Sequence, residues 1–571
     1  MGLEIKNGVL KWYTEEDGVT EVVIPAGVTS IESEAFFECK SLTSIVIPDS
    51  VTSMGDSAFY GCESLTSIVI PDRVTSIEPW AFSGCDNLRS VVLSNSMTSI
   101  GYHAFHGCEK LTSIVIPDSV TSIEEGAFCG CKGLADEKGF VIVKNVLYAF
   151  WGSDSNVVIP DGVTSIEGAA FYDCANLITV IIPDSVKRIG VCGFEDCYRL
   201  TSLVIPDSVT SIEDEAFCGC ESLTAVTIPN GVTNIGEGMF AACRSLTSIT
   251  LSDSVTSIEK RAFYECEELT SIIIPNGVKS IEYCTFYGCK SLTSIVIPDS
   301  VTRIEEGAFS GCESLTSLVI PNSVTSIGTN AFYGCKSLTS IVMGDGLTSI
   351  GDRAFCECRS LTSVVIPDNV TSMGQKAFCE CESLTSAVLS NTLTSIEYAT
   401  FYGCKHLTSL VIPDSVTSIG DRALYGCKSL KRLTMFGYTV DATQCDWWNV
   451  NQSDILSMLA TKNYVVSMNA SIKYQIVVQI FLKTAQPEAK AYIRKNIKKI
   501  LPCFIDLNDY DTVKGLLDAD QFVTEENILG FVEYAIDNTQ KGSDMQIQVY
   551  LMDYRNRRFP DTNPLRALQE L

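Results

Sequence analysis

Leu42-Thr43-Ser44-Ile45-Val46-Ile47-Pro48-Asp49-Ser50-Val51-Thr52-Ser53-Met54-Gly55-Asp56-Ser57-Ala58-Phe59-Tyr60-Gly61-Cys62-Glu63-Ser64 decides the fold, because Leu65 starts the same 23-residue unit again. Working outward, the phenylalanine of the unit stands at Phe36, Phe59, Phe82, Phe105 and Phe128, and then at every 23rd residue from Phe171 to Phe401, with Leu424 closing the series. A cysteine follows three residues after each, from Cys39 to Cys427, and these account for 17 of the 25 cysteines. Cysteine abundance therefore reports a repeat count and not the disulfide framework of a small secreted domain.

Within the unit, Leu42, Ile45 and Ile47 mark a short strand with its apolar side chains turned inward. Pro48, which donates no hydrogen bond, ends it, and Asp49 and Ser50 form the bend. Val51 and Met54 begin a second short strand, and Ala58, Phe59 and Cys62 form the next inward cluster, with the thiol packing as a small apolar group. One unit cannot bury this face alone, so units must stack, and like residues fall into ladders. At roughly 4.8 Å per rung, about 17 rungs span on the order of 80 Å.

The strand, the Ile-Pro-Asp bend and the Ala-Phe-x-x-Cys corner resemble the leucine-rich repeats of the BspA-like family, over residues from about 22 to 435. The resemblance implies a curved right-handed solenoid with a β-sheet on one face, and a bacterial or protist family associated with surface attachment and protein binding. The expected fold is α+β: a leucine-rich-repeat β-solenoid of about 17 repeats followed by a small all-α domain.

Between Phe128 and Phe171 the step is 43, and the gap holds Phe140-Val141-Ile142-Val143-Lys144-Asn145-Val146-Leu147-Tyr148, an echo of Leu3-Glu4-Ile5-Lys6-Asn7-Gly8-Val9-Leu10-Lys11. Asn-Gly between two apolar strands signals a hairpin that caps the open end of a stack. The domains expected are a hairpin cap over 1–21, a first repeat block over 22–131, an inserted hairpin over 132–157 marking a joint, a second block over 158–435, a capping linker over 436–453 and a helical domain over 454–571. Trp447 and Trp448 fall where a terminal cap is needed. Beyond them apolar residues take helical spacing, as in Ile472, Ile476, Val477, Ile480 and Phe481, and Pro487 is placed to start a second helix.

A formal charge of −28 over 571 residues excludes broad attraction to nucleic acid or an anionic membrane. No apolar run approaches the roughly 18 residues of a membrane span, and Met1 is not followed by a basic and then an apolar stretch. The chain reads as soluble and cytoplasmic, with a cell-surface protein exported by another route as the alternative.

Catalytic signals are sparse. There are three histidines, and His103 and His106, which flank Phe105, fall short of a zinc ligand set. Cys-x-Cys pairs stand at Cys129/Cys131, Cys218/Cys220, Cys356/Cys358 and Cys379/Cys381; the last two lie in adjacent repeats, where stacking could gather four thiols for a soft metal or a disulfide, although the second of each pair belongs to the buried ladder. No phosphate-binding loop, dinucleotide fingerprint, nucleophile elbow or H-E-x-x-H occurs. If an activity exists, its place is the C-terminal domain, with Asp506, Asp509 and Asp511 as the groups to test. The reading is thus a non-enzyme without cofactor or metal.

Thr43, Ser44 and Val46 recur on the exposed strand face, which suits a repetitive partner, a protein or an extended polymer. Variation gathers after the phenylalanine, where tyrosine is frequent. Partner binding is therefore assigned to Tyr264, Tyr287 and Tyr333, and to Tyr402 with Tyr425, against the alternative that they stack as a stabilising ladder.

Overall fold

The computed structural model describes residues 2–435, 437–441, 458, 461–464, 469–519 and 522–560. Trp447 and Trp448 and most of the expected capping linker lie outside the described residues. The chain forms a β-solenoid of about 19 turns of roughly 23 residues, followed by a five-helix domain. It divides into two compact units, Met1–Ser300 and Val301–Leu571.

Each turn has two strands. In the first unit Ser67–Val69 pairs in parallel with Ser90–Val92, and Ser76–Ile77 with Ser99–Ile100, always with the residue 23 positions on. The central residue of the longer strand is buried and its neighbours are exposed, as the two-residue period of a strand demands. The second unit repeats this, with Ser317–Ile320 against Ser340–Met343.

At the corner the rings stack face to face. Phe59 and Phe82 have centroids 5.3 Å apart at 2°, and Phe332 and Phe355 are 5.2 Å apart at 4°. The corner backbone is tied from turn to turn, the Phe59 N–H donating to the Ala81 carbonyl at 2.8 Å. Gly61, two residues after the ring, has φ 69°, a left-handed conformation that favours glycine; Glu38 at the same place bears it at 52°. The ladder cysteine does more than fill space. Cys85 Sγ donates to the Phe59 carbonyl at 3.2 Å, Cys243 to Phe217 at 3.2 Å and Cys358 to Phe332 at 3.3 Å. Burial pushes the Cys243 and Cys358 thiols up, and that of Cys427 to about 12, so they keep the proton they donate.

Two further ladders fix the register. Thr52 and Thr66 donate both N–H and hydroxyl to the carbonyls of Thr29 and Thr43 one turn back. Where the residue after the ladder cysteine changes sign from one turn to the next it gives ion pairs: Lys40 with Glu63, Lys132 with Glu109, Lys290 with Glu267, Lys336 with Glu313 and Lys405 with Glu382. Such exposed pairs contribute at most about 1 kcal/mol each.

Both hairpins are turns of the solenoid, which brings the 17 corners, Leu424 included, to about 19 turns. In the first, Leu3–Lys6 pairs antiparallel with Val9–Tyr13, whose Val9 and Leu10 pair in parallel with Ser30 and Ile31. Asn7 and Gly8 both have positive φ, as the tight hairpin turn requires. Tyr13 supplies the aromatic rung, 5.3 Å from Phe36. In the inserted hairpin, Phe140–Val143 with Val146–Phe150, Tyr148 packs edge-on to Phe128 and Phe150 packs on Phe171. The two strand rows break here while the ring contacts continue.

The parallel rows of the second unit end where Arg432–Met435 meets Tyr438–Asp441 in antiparallel pairing. The helices that follow are α1 (Ala470–Thr484), α2 (Pro487–Asp506), α3 (Tyr510–Asp518), α4 (Glu525–Gln540) and α5 (Met545–Arg558). Helix α1 lies along the last strand and bonds to its edge. Gln475 accepts from the Asp441 N–H at 2.7 Å and returns a bond to its carbonyl at 2.7 Å, Gln479 does the same for Thr439, and Lys483 donates to the Gly437 carbonyl. Side chains four apart on a helix meet backbone groups two apart on a strand, since about 6 Å matches about 6.8 Å. An edge that would template another chain is thereby closed.

Gln475→Leu keeps the volume of this 3 % exposed side chain but strips both bonds from Asp441. It is expected to destabilise the second unit by about 1–3 kcal/mol, read as a lower denaturant midpoint of the full chain; an unchanged midpoint would contradict the edge-closing role.

Candidate functional site

The longer strand row leaves every second side chain outside. In the first unit this position carries Val23, Val46, Val69, Val92, Val115, Val158, Ile181, Val204, Ile273 and Val296, and in the second Val319, Val342, Val365, Val388 and Val411, from 54 % to 82 % exposed. Thr227 and Thr250 interrupt the row in the first unit. The threonines beside it spend their hydroxyls on the preceding turn, as Thr339 does on Thr316 and Thr362 on Thr339. Their uniformity is therefore a product of stacking, and the aliphatic row is what this face offers to a partner.

The corner tyrosines take up two arrangements. Tyr264 and Tyr287 stack at 4.9 Å and 7° in the first unit, and Tyr402 and Tyr425 at 5.1 Å and 7° in the second. Each pair thus has the geometry of a stabilising ladder while keeping one ring face or edge at the surface. Tyr333 donates to Glu357 at 2.6 Å, and that bond with burial pushes its phenol up to about 12.

Sequence reasoning missed a larger cluster. Trp80 stands two residues before Phe82 and His103 two before Phe105, so they share a ladder position and stack at 4.4 Å. Tyr102 meets Trp80 edge-on at 5.5 Å, His106 lies 4.9 Å from His103, and Tyr60 lies 6.5 Å from Trp80. Trp80 is the one tryptophan inside the regular repeats, and its distance of 23 from His103 was the available signal. Burial lowers the pKa of both histidines, and at His103 the neighbouring His106 lowers it further.

The other candidates have structural roles. Asp506 accepts from the Tyr534 hydroxyl at 2.9 Å and from Asn538 at 2.7 Å, tying α2 to α4, and Asp509 caps α3 through the Thr512 N–H at 3.1 Å. His406 Nδ1 lies 2.7 Å from the Glu382 carbonyl. The four thiols of Cys356, Cys358, Cys379 and Cys381 do not converge: among the described residues the donor group of three or more within 4.8 Å is Cys192, Glu195 and Glu215. Burial and the two carboxylates push the Cys192 thiol up, and it donates to Glu215 at 3.5 Å, which accounts for that grouping.

The family described as BspA type leucine rich repeat region, in six copies, matches residues 11–135, 146–270, 256–385 and 302–431, stopping short of the helices. Among solved structures, a leucine-rich repeat protein from Bacteroides ovatus is 26 % identical with a TM-score of 0.33, covering 76 % of this chain and 92 % of that one. A leucine rich cell surface protein from Faecalibacterium prausnitzii is 26 % identical with a TM-score of 0.28 and the same coverage. The leucine-rich repeat protein of T. pallidum is 33 % identical with a TM-score of 0.28, covering 30 % of this chain and 82 % of that one. No curated protein matches.

Because their folded-state values lie below the ordinary 6.5, His103 and His106 favour the neutral ring in the folded chain. Their contribution to stability is complete above that value and is lost as pH falls through it towards the folded values. Titration of the histidine ring carbons by NMR in the full chain is expected to give both midpoints below 6.5, and midpoints at or above 6.5 would show that the cluster does not desolvate them.

Proposed function

This chain belongs to the BspA-type leucine-rich-repeat family, and from that premise we propose that it is a non-catalytic scaffold that binds another protein through the exposed face of its longer strand row. The observation that carries this reading is the aliphatic row itself. Contiguous exposed apolar surface on a repeat protein marks an interaction face, and here it is flanked by hydroxyls already engaged between turns, so partner contact need not break a stacking bond. The stacked tyrosines Tyr264 and Tyr287, Tyr402 and Tyr425, together with Tyr333, and the Trp80 cluster, supply rigid amphipathic anchors that differ from turn to turn and so add selectivity. An extended polymer with a short repeat is the second reading, favoured by the near-identity of successive rungs; the formal charge of −28 disfavours nucleic acid.

No described helix is long and apolar enough to cross a membrane. A core whose corners depend on protonated thiols suits a reducing compartment, which supports a cytoplasmic scaffold over an adhesin at the cell surface. Against an enzyme stands the structural employment of Asp506 and Asp509, the carboxylates best placed for one in the helical domain.

The test is capture of partners from native extract on the immobilised full chain, with Val342→Glu, Val365→Glu and Val388→Glu combined in a second bait. These side chains are exposed, so the fold is expected to persist by thermal melting while partners bound to the face drop at least tenfold. Equal recovery on both baits would refute the strand-face reading and shift attention to the corners.

A further inference from the structure

Of the cysteines outside the buried ladder, Cys129, Cys192, Cys218 and Cys284 have no cysteine 23 residues before or after them. Cys356 and Cys379 do have one, namely each other. Both follow a ladder phenylalanine, and Phe355 and Phe378 stack at 5.3 Å and 7°. The backbone holds the two corners in register: the Gly334 N–H donates to the Cys356 carbonyl at 2.9 Å, and the Glu357 N–H to the Cys379 carbonyl at 2.7 Å. One rung of about 4.8 Å falls within the Cα separation of about 4.4–6.8 Å over which a disulfide closes without backbone movement.

The two thiols lie close enough to act on each other's ionisation. Access sets them apart from the ladder pair beside them. Cys356 and Cys379 retain 6 % and 8 % exposure, whereas Cys358 and Cys381 have none and donate to the carbonyls of Phe332 and Phe355. The neighbouring Cys356 and then Lys376 lower the Cys379 thiol against the opposite pull of burial and of Glu380, which makes it the nucleophile of the pair.

We propose that Cys356 and Cys379 form a reversible dithiol–disulfide pair that clips two consecutive turns of the second unit. The oxidant is a low-molecular-weight disulfide such as glutathione disulfide. The Cys379 thiolate attacks one of its sulfurs, forming a mixed disulfide and releasing one thiolate. Cys356 then loses its proton and attacks the Cys379 sulfur, and the second glutathione thiolate leaves. In balance, the protein gives up two protons and two electrons and gains one S–S bond, and the glutathione disulfide becomes two glutathione thiols. The clip closes a loop of one repeat near the end of the solenoid and leaves the ladder thiols, with their carbonyl bonds, intact.

The full chain is equilibrated in glutathione buffers from fully reduced to fully oxidised, alkylated while folded, and then digested for mass spectrometry without reduction. Under oxidising buffer the expected result is one cross-linked peptide pair joining Cys356 to Cys379, about 2 Da lighter than the sum of its parts, reversed by dithiothreitol. Cys356→Ser is expected to leave Cys379 as a stable glutathione adduct. Alkylation of both cysteines at the oxidised end, or a bond from either to Cys358 or Cys381, would overturn the proposal. The unmutated chain decides it even if the variant folds poorly.

Discussion

A single turn has nothing of its own to set against the ring, thiol and aliphatic side chains it points inward, so each is covered only by the same set 23 residues away. This constraint selects the residues at nearly every repeated position. The ring stacks on a ring, the threonine hydroxyl reaches the threonine carbonyl behind it, and the thiol reaches the phenylalanine carbonyl of the preceding turn. The ion pairs after the ladder cysteine add little energy individually.

The same constraint makes ends and interruptions the demanding places. A stack must begin and end on something that covers one side without needing cover on the other. The first hairpin does so by folding back on itself and offering Tyr13 as a terminal ring. At the close of the second unit the problem is solved with polar groups, since Gln475 and Gln479 present an amide to an edge strand and imitate one more strand from the side of a helix. Near the middle of the first unit both strand rows stop at the inserted hairpin, which offers Tyr148 to the ring before it and Phe150 to the ring after it.

Spacing made the stack, the corner ladders and the first two helices readable, because each rests on residues a fixed distance apart: Ile472 to Phe481 lie within α1 and Pro487 does open α2. Less legible were features in which unlike residues do one job. Tyr13, Tyr148 and Phe150 stand in for the corner phenylalanine without its Ala-x-x-Cys context, so the hairpins were read as caps and a joint when each is also a turn. The pairing of Gln475 with Asp441 joins a helix to a strand 34 residues away, a relation no period announces. On the candidate surfaces the tyrosine pairs followed from the 23-residue step, but Trp80 and His103 share a position that elsewhere holds Glu, Ser, Gly, Ala, Cys, Arg, Asn or Lys, and variety there concealed the stack.

Separating what stacking requires from what it leaves unused narrows the functional surface. Thr and Ser on the strand face look like a repeated epitope, yet the threonine hydroxyl is already bonded backwards, and replacing it would cost the turn before it would cost a partner. The aliphatic residue between them has no such duty: β-branched side chains suit a strand, but threonine suits it equally and occurs at 227, 250 and 434 without disturbing the pairing of Ala225–Thr227 with Ser248–Thr250 or of Ser409–Ile412 with Arg432–Met435. Stacking accepts threonine at three rungs, 227, 250 and 434, while the others keep valine or isoleucine in water, so the stack does not itself require the apolar choice.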